Sequence, residues 1–449
     1  MIAVWALLLY IGLIIFWAIG LKRNIGEAMI LGFFVTALFG GGDFLSLIRD
    51  GFIFGATHEV LFAAMSFVFM AYLVDWTGTI YRLINILNSM LGRLPGGAGY
   101  VDTIASALFG TISGSGSGNT AAVGSITIPW MLKSNWSKKL SATVVAGNAG
   151  MGISFPPNGS MFILLGSASI ASVITEGQLF ISLFVAGFYT LLYRLLLVWW
   201  FVKKNKIQKV DASEIQPFSV SIKNGWTSLL IFLGILIPVI LTIGPVSEFL
   251  ASANRLGPDA LDTISILIWV PVLIITIAAL IGWKTLPLSI REWKAFTRKI
   301  APQFSVIGAI LLFAFAASEV LNNIGLGEQL GAIMESLAMP SWLIIAIVGL
   351  LILMVATPLT ATATVTAIGL VSFNALTAAG VDPVVAAVAI LVFASTEGAS
   401  PPGAAPIFIA SGIAGVDPVK TFVPLIFGYV LPIGIIGWLI AMGILPIPL

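Results

Sequence analysis

Long apolar runs recur from one end of this chain to the other. They lie near 2–21, 25–41, 52–74, 100–131, 138–172, 179–202, 226–244, 262–282, 302–324, 341–378, 384–410 and 418–445. About 20 apolar residues suffice for a helix to cross a bilayer, and a helix satisfies its own backbone groups where no water can. Only 9% of the residues are charged and 59% are hydrophobic, whereas a soluble domain carries about 25% charged residues. The fold class read from this pattern is an all-α polytopic membrane protein. The short alternating segments of a transmembrane β-barrel are absent. Lys22 and Arg23 follow the first apolar run instead of preceding it, so that run reads as a retained helix and not as a signal peptide.

Four of the runs exceed one crossing and are interrupted by glycine, proline or serine: 100–131, 138–172, 341–378 and 384–410. The densest interruption is Ser113-Gly114-Ser115-Gly116-Ser117-Gly118-Asn119-Thr120. Glycines at that density break a helix. Non-helical backbone at membrane depth persists only inside protein or along a cavity, and discontinuous helices are where transporters hold ions and substrates.

The interruptions repeat. Pro95 and Pro340 stand 245 residues apart, as do Pro156 and Pro401, and Pro157 and Pro402. The same offset places Ser115 on Thr360, Ser117 on Thr362 and Asn119 on Thr364. Residues 1–51 read as N-terminal scaffold helices. Residues 52–202 form a first repeat, with a hairpin at 100–131 and a broken helix at 138–172. A cytoplasmic linker and scaffold helices follow at 203–301. Residues 302–449 form a second repeat, with a hairpin at 341–378 and a broken helix at 384–410. If each hairpin enters and leaves on one side, Lys133, Lys138, Lys139, Lys203, Lys204, Lys284 and Lys299 share a face, which is then cytoplasmic. Both termini lie opposite, and the halves become inverted-topology repeats with two re-entrant hairpins, a plan common to alternating-access transporters.

The interrupted segments supply the candidate chemistry. Ser113, Ser115, Ser117 and Asn119 at the first tip, and Thr357, Thr360 and Thr362 at the second, offer neutral oxygens suited to a hard cation such as Na⁺. Small residues also serve close helix packing. Pro156-Pro157 and Pro401-Pro402 free carbonyls on the preceding turns, which adds Gly152 and Gly398 to the sodium set. Each Pro-Pro also starts a half-helix whose N–H groups attract an anion. That gives a substrate set of Ser154, Pro156, Pro157, Asn158, Glu397, Ser400, Pro401 and Pro402. Glu397 is placed to balance cation charge or take a proton. Asp75, Asp102 and Glu319 fall near span ends and are expected to reach the interface, while Arg194, inside a span, is expected to pair or snorkel.

Other classes find no support. There is no cysteine and one histidine, His58, so no disulfide or zinc motif is available. Neither a Walker A loop nor G-x-S-x-G is present, and no transition-metal site or organic cofactor is expected. The net charge of +2 comes without a basic tract, which excludes nucleic acid as a partner.

Several blocks resemble the large membrane subunit of TRAP transporters (tripartite ATP-independent periplasmic transporters, DctM-like), in the ion-transporter superfamily. They are Gly92-Arg93-Leu94-Pro95-Gly96-Gly97, Ser106 to Ser115, Ala121 to Pro129, Pro156-Pro157, Pro401-Pro402 and Ile407 to Val416. The resemblance implies an elevator-type transporter driven by a sodium gradient, with sodium sites at the hairpin tips and breaks. It implies a small four-helix membrane subunit, a periplasmic substrate-binding protein and a small organic acid, carboxylate or sulfonate, as substrate. The location implied is the inner membrane of a bacterial or archaeal cell. The chain departs from the family pattern at Asn119, at Ala71-Tyr72 and over Leu353 to Pro358, which leaves ion number and coupling open. A standalone or proton-coupled carrier of the same fold is the alternative, and a membrane scaffold or intramembrane enzyme a distant one.

Overall fold

The computed structural model describes residues 2–449 apart from 22, 210–214, 253, 254, 258–260, 262, 288, 327, 330, 331, 333–338 and 358, and apart from the side chains of Ile15, Ala18, Ile19, Ser113, Ala168 and Gln303. Ser113 and Pro358, expected at the hairpin tips, are thus wholly or partly outside the described residues. Every described element is helical. Among the described residues, six helices are long and apolar enough to cross a membrane, including Glu59–Trp76, Glu176–Lys204, Phe304–Asn323 and Val419–Ala441. Large apolar side chains such as Trp5, Leu8, Phe16, Phe188, Leu196 and Phe427 face outward, as a lipid-facing surface requires. Where the long helix Glu176–Lys204 ends, the ammonium groups of Lys203 and Lys204 each lie 4.3 Å from the ring centres of Trp199 and Trp200. Such aromatic and basic pairs anchor a helix at the membrane–water boundary.

The runs 100–131 and 341–378 are helical hairpins. Gly97–Ser113 and Gly116–Lys133 are joined by Gly114 and Ser115, and Gly114 has a φ of 57°, a conformation that favours a residue without Cβ. The arms run antiparallel: Asn119 Nδ2 donates to the Ser106 carbonyl at 3.3 Å, and Thr127 Oγ1 to Asp102 Oδ1 at 2.7 Å. In the second hairpin, Ser341–Val355 and Ala361–Ala378 are tied at their far ends by Ser341 Oγ donating to the Ala379 carbonyl at 2.7 Å.

The Pro-Pro runs are broken helices. Lys138–Asn148 passes through a 3₁₀ turn, Ala149–Ser154, to Gly159–Leu165. Pro383–Ala394 passes through Glu397–Ala399 to Ala405–Ala414. The Pro156–Pro157 and Pro401–Pro402 bonds are both cis. The 245-residue offset extends to helix boundaries: Gly116–Lys133 and Ala361–Ala378 correspond end to end, each 18 residues long.

Within 203–301, expected as a cytoplasmic linker and scaffold helices, the charged stretch from Ile290 onward is helix. Ile290–Asn323 is one continuous element, running through the expected boundary at 301/302. Ser289 starts it: its hydroxyl accepts the Glu292 N–H at 3.2 Å and the Glu292 carboxylate returns to the Ser289 N–H, a capping box. Arg291, Lys294, Arg298 and Lys299 hide this start from a reading based on apolar runs.

Ile290–Asn323 packs on Ile25–Leu38, Phe44–Thr57 and Glu59–Trp76. The hairpins and broken helices interlock separately: Ala405–Ala414 of the second half packs on Lys138–Asn148 and Gly116–Lys133 of the first. Glu59–Trp76 touches the first hairpin, and Ile290–Asn323 touches the second. The interlocked core is therefore flanked by equivalent helices from each half.

Candidate functional site

The two hairpin tips are capped alike. Ser115 Oγ accepts the Gly118 N–H at 3.1 Å, and Thr360 Oγ1 accepts the Ala363 N–H at 3.3 Å. Both expected sodium ligands thus serve as helix N-caps.

One turn deeper stands the pair Asn119 and Thr364, both 0% exposed. Asn119 Nδ2 spans from the Ser106 carbonyl to the Ala149 carbonyl, the latter at 3.0 Å. The tip of the first hairpin is thereby tied to the first break. Among the described residues, Asn119 Oδ1, Thr364 Oγ1 and Thr366 Oγ1 are buried oxygens without a hydrogen-bond partner. Buried polar atoms are seldom left unsatisfied, and a bare oxygen suits a hard cation.

Glycines bring the backbones together. A Cβ on Gly152 would stand 2.0 Å from the Gly110 carbonyl carbon, and one on Gly150 would stand 2.2 Å from the Ser395 oxygen. One on Gly398 would stand 2.6 Å from the Ala149 Cβ. The first hairpin therefore lies on the first break, and the first break on the second.

Glu397 closes the arrangement. Its Oε2 accepts the Ala361 N–H at 2.9 Å, and the same carboxylate accepts the Gly116 N–H. These are the first N–H groups of the second arms of both hairpins, and the side chain is buried, 5% exposed. Both tips and both breaks meet at one place.

A cavity of about 630 Å³ opens beside it. Val68, Tyr72 and Asp75 of Glu59–Trp76 face Ser115, Ser117 and Ala121 of the first hairpin across it, with Phe109 alongside. Asp75 is exposed and lies 3.7 Å from Lys299 Nζ. Sequence reading placed Asp75 near a span end but did not pair it with the first tip; no local signal joins the two.

The remaining expected sodium ligands divide. Ser117 lines the cavity, Thr362 is half-buried, and Gly152 and Gly398 are buried in the 3₁₀ turns. Thr357 Oγ1 donates to the Leu353 carbonyl at 3.1 Å.

The expected substrate set is not gathered at one opening. Ser154, Pro156, Pro157 and Asn158 are buried. Ser154 Oγ meets Met151 O and Thr190 Oγ1, each at 2.9 Å, and Gly187 of the long helix lies against Ser154 O and the Phe155 ring. Asn158 spends its side chain on its own loop. It accepts the Met161 N–H at 2.9 Å and donates to Ile153 O at 3.0 Å and Phe155 O at 2.8 Å. In the second half, Ser400 is buried and donates to Thr396 O at 2.9 Å, while Pro401 is half-buried and Pro402 exposed. The helix after it begins at Ala405 without a side-chain cap. Asn158→Ala should therefore destabilise the protein by about 2–4 kcal/mol, since it strands buried backbone groups. A denaturation series on the purified variant checks this, and an unchanged unfolding midpoint would remove Asn158 from the framework.

Two expectations about charge are corrected. Asp102 does not reach the interface: it is 0% exposed, bonded to Thr127 and, at 2.9 Å, to Asn148 Nδ2. Its helix begins at Gly97, so Asp102 stands a full turn inside, packed between the first hairpin and first broken helix. Arg194 neither hydrogen-bonds nor snorkels. It is 0% exposed, and its Nε, Nη1 and Nη2 have no hydrogen-bond partner among the described residues. It lies ten residues from the nearer end of the 29-residue helix Glu176–Lys204, too far for its head group to escape.

A family model described as "Tripartite ATP-independent periplasmic transporter, DctM component" matches residues 2–446. The C4-dicarboxylate TRAP transporter large permease protein DctM of Rhodobacter capsulatus is 23% identical over 348 residues, covering 75% of this chain and 74% of that one. The isethionate TRAP transporter permease protein DctMQ of Oleidesulfovibrio alaskensis is 37% identical over 127 residues, 28% of this chain, and the match spans only 19% of that protein's length. The ectoine TRAP transporter large permease protein TeaC of Halomonas elongata is 29% identical over 158 residues, covering 35% of this chain and 36% of that one. Among solved structures, the YdaH transporter of Alcanivorax borkumensis aligns with a TM-score of 0.61 at 15% identity, covering 89% of this chain and 87% of that one. MtrF of Neisseria gonorrhoeae aligns at 0.60 and 13% identity, covering 89% and 84%. At such identities the likeness concerns the fold.

Proposed function

Since the chain belongs to the DctM family of tripartite ATP-independent periplasmic transporters, we propose that it is the large membrane subunit of a sodium-coupled importer of a small organic acid. The observation that carries this reading is the meeting of both hairpin tips and both helix breaks around buried, unpartnered oxygens of Asn119 and Thr364. Sodium bound there neutralises part of an anion's charge, so substrate and ion favour each other's binding. No bond is made or broken, in keeping with a transporter and not an enzyme.

The cavity lies between Glu59–Trp76, which packs on Ile290–Asn323, and the interlocked core of hairpins and broken helices. In an elevator the core carries the site past the flanking helices, and re-entrant hairpins let its tips reach the site from opposite sides. The relatives named for C4-dicarboxylate, isethionate and ectoine support a small carboxylate or sulfonate as cargo. The partners in this reading are a small four-helix membrane subunit and a periplasmic substrate-binding protein, working in a cell membrane.

The test is uptake into proteoliposomes holding the chain and both partners. Uptake of an organic acid that requires an inward sodium gradient and the loaded binding protein is expected. Equal uptake under a proton gradient without sodium would contradict the coupling.

A further inference from the structure

Within that transport reading, we infer that the cargo of this site carries at most one net negative charge: a zwitterion, monocarboxylate or monosulfonate, and not a dicarboxylate. The second arms of both hairpins are 18-residue helices, and their first N–H groups point to one spot. Each helix N-terminus carries roughly half a positive charge, and bare N–H groups make it an anion site. Two converging termini thus offer about one unit of positive potential, and here the protein supplies the anion. The Glu397 carboxylate accepts both the Gly116 and the Ala361 N–H. Its Oε1 lies so close to Gly116 that a Cβ there would stand 2.1 Å away. In the first repeat the position 245 residues earlier is Gly152, so this carboxylate belongs to one half only.

The cavity wall adds no compensating cation. Among the described residues, none that lines it is lysine or arginine, and Asp75 contributes an acid. Lys299 beside Asp75 is matched to that acid at the exposed rim. Arg194 does not line the cavity. With Glu397 taking up the potential of both helix termini, a dianion has only bound sodium to offset its two charges, whereas a monoanion needs one compensating charge and a zwitterion none.

The experiment loads proteoliposomes, holding the chain and its partners under an inward sodium gradient, with a bacterial metabolite extract supplemented with succinate, isethionate and ectoine. Internalised compounds are identified by mass spectrometry. The expected result is accumulation of compounds with net charge 0 or −1 at neutral pH and exclusion of succinate. In Glu397→Gln, the ratio of dicarboxylate to monoanion uptake should rise at least tenfold. Sodium-dependent accumulation of a dicarboxylate by the wild type overturns the inference while leaving the transport reading intact. If no compound accumulates, the transport reading itself fails and the inference falls with it. The wild-type arm decides the question even if Glu397→Gln folds poorly.

Discussion

Gly152→Ala is expected to abolish uptake and to destabilise the protein by about 3 kcal/mol or more, at or beyond the upper end of ordinary overpacking. The new Cβ would stand 2.0, 2.3 and 2.4 Å from the carbonyl carbon, oxygen and Cα of Gly110. All three are backbone atoms of the first hairpin arm, so no side chain can swing aside. The hairpin and first break must separate, and separation pulls the Ala149 carbonyl from Asn119 Nδ2. Gly159→Ala is the control. A Cβ there meets nothing within 4 Å, so its effect should stay within about 0.5 kcal/mol. Thermal unfolding and uptake of the two variants, measured side by side, check the contrast. A Gly152→Ala protein that unfolds and transports like the wild type would mean that the close approach is not required.

Asn119→Ala is expected to cost about 1–3 kcal/mol, because two buried carbonyls lose their donor. It should also raise the sodium concentration for half-maximal uptake by on the order of 10–100-fold, the scale seen when a metal site loses a supporting group. Asn119→Asp keeps a side-chain oxygen but loses the donors to Ser106 and Ala149. It should share the stability loss and retain more of the sodium response. If Asn119→Ala is destabilised yet keeps the wild-type sodium response, Asn119 is a structural tie and not a ligand.

Much of the fold was legible because glycine and proline act locally. Gly114 and Ser115 mark the first hairpin turn, the Pro-Pro pairs mark the breaks, and the shared offset relates the two halves. The functional difference between the halves was not legible. Pro156-Pro157 and Pro401-Pro402 read alike, yet the first is buried because Gly187 and Thr190 of the long helix close over Ser154 and Phe155, while Pro402 stays exposed. Such coverage depends on a distant helix face and leaves no mark near the motif. Asp102 likewise looked terminal, because the depth of its helix depends on how the hairpin packs on Lys138–Asn148. Glu397 was singled out from its position in an apolar run, but its bridging of Gly116 and Ala361 required the folded arrangement.

In the transport reading proposed above, tips and breaks together form a sodium site. The most direct measurement is the unfolding midpoint of the purified chain titrated with sodium at constant ionic strength, with potassium as the replacing ion. A ligand that binds only the folded state adds about 1.4 kcal/mol for each tenfold rise above its dissociation constant. That increment is expected for sodium, and it should be absent for potassium and lost in Asn119→Ala. A midpoint that follows ionic strength alone, the same for both ions and both proteins, would contradict it.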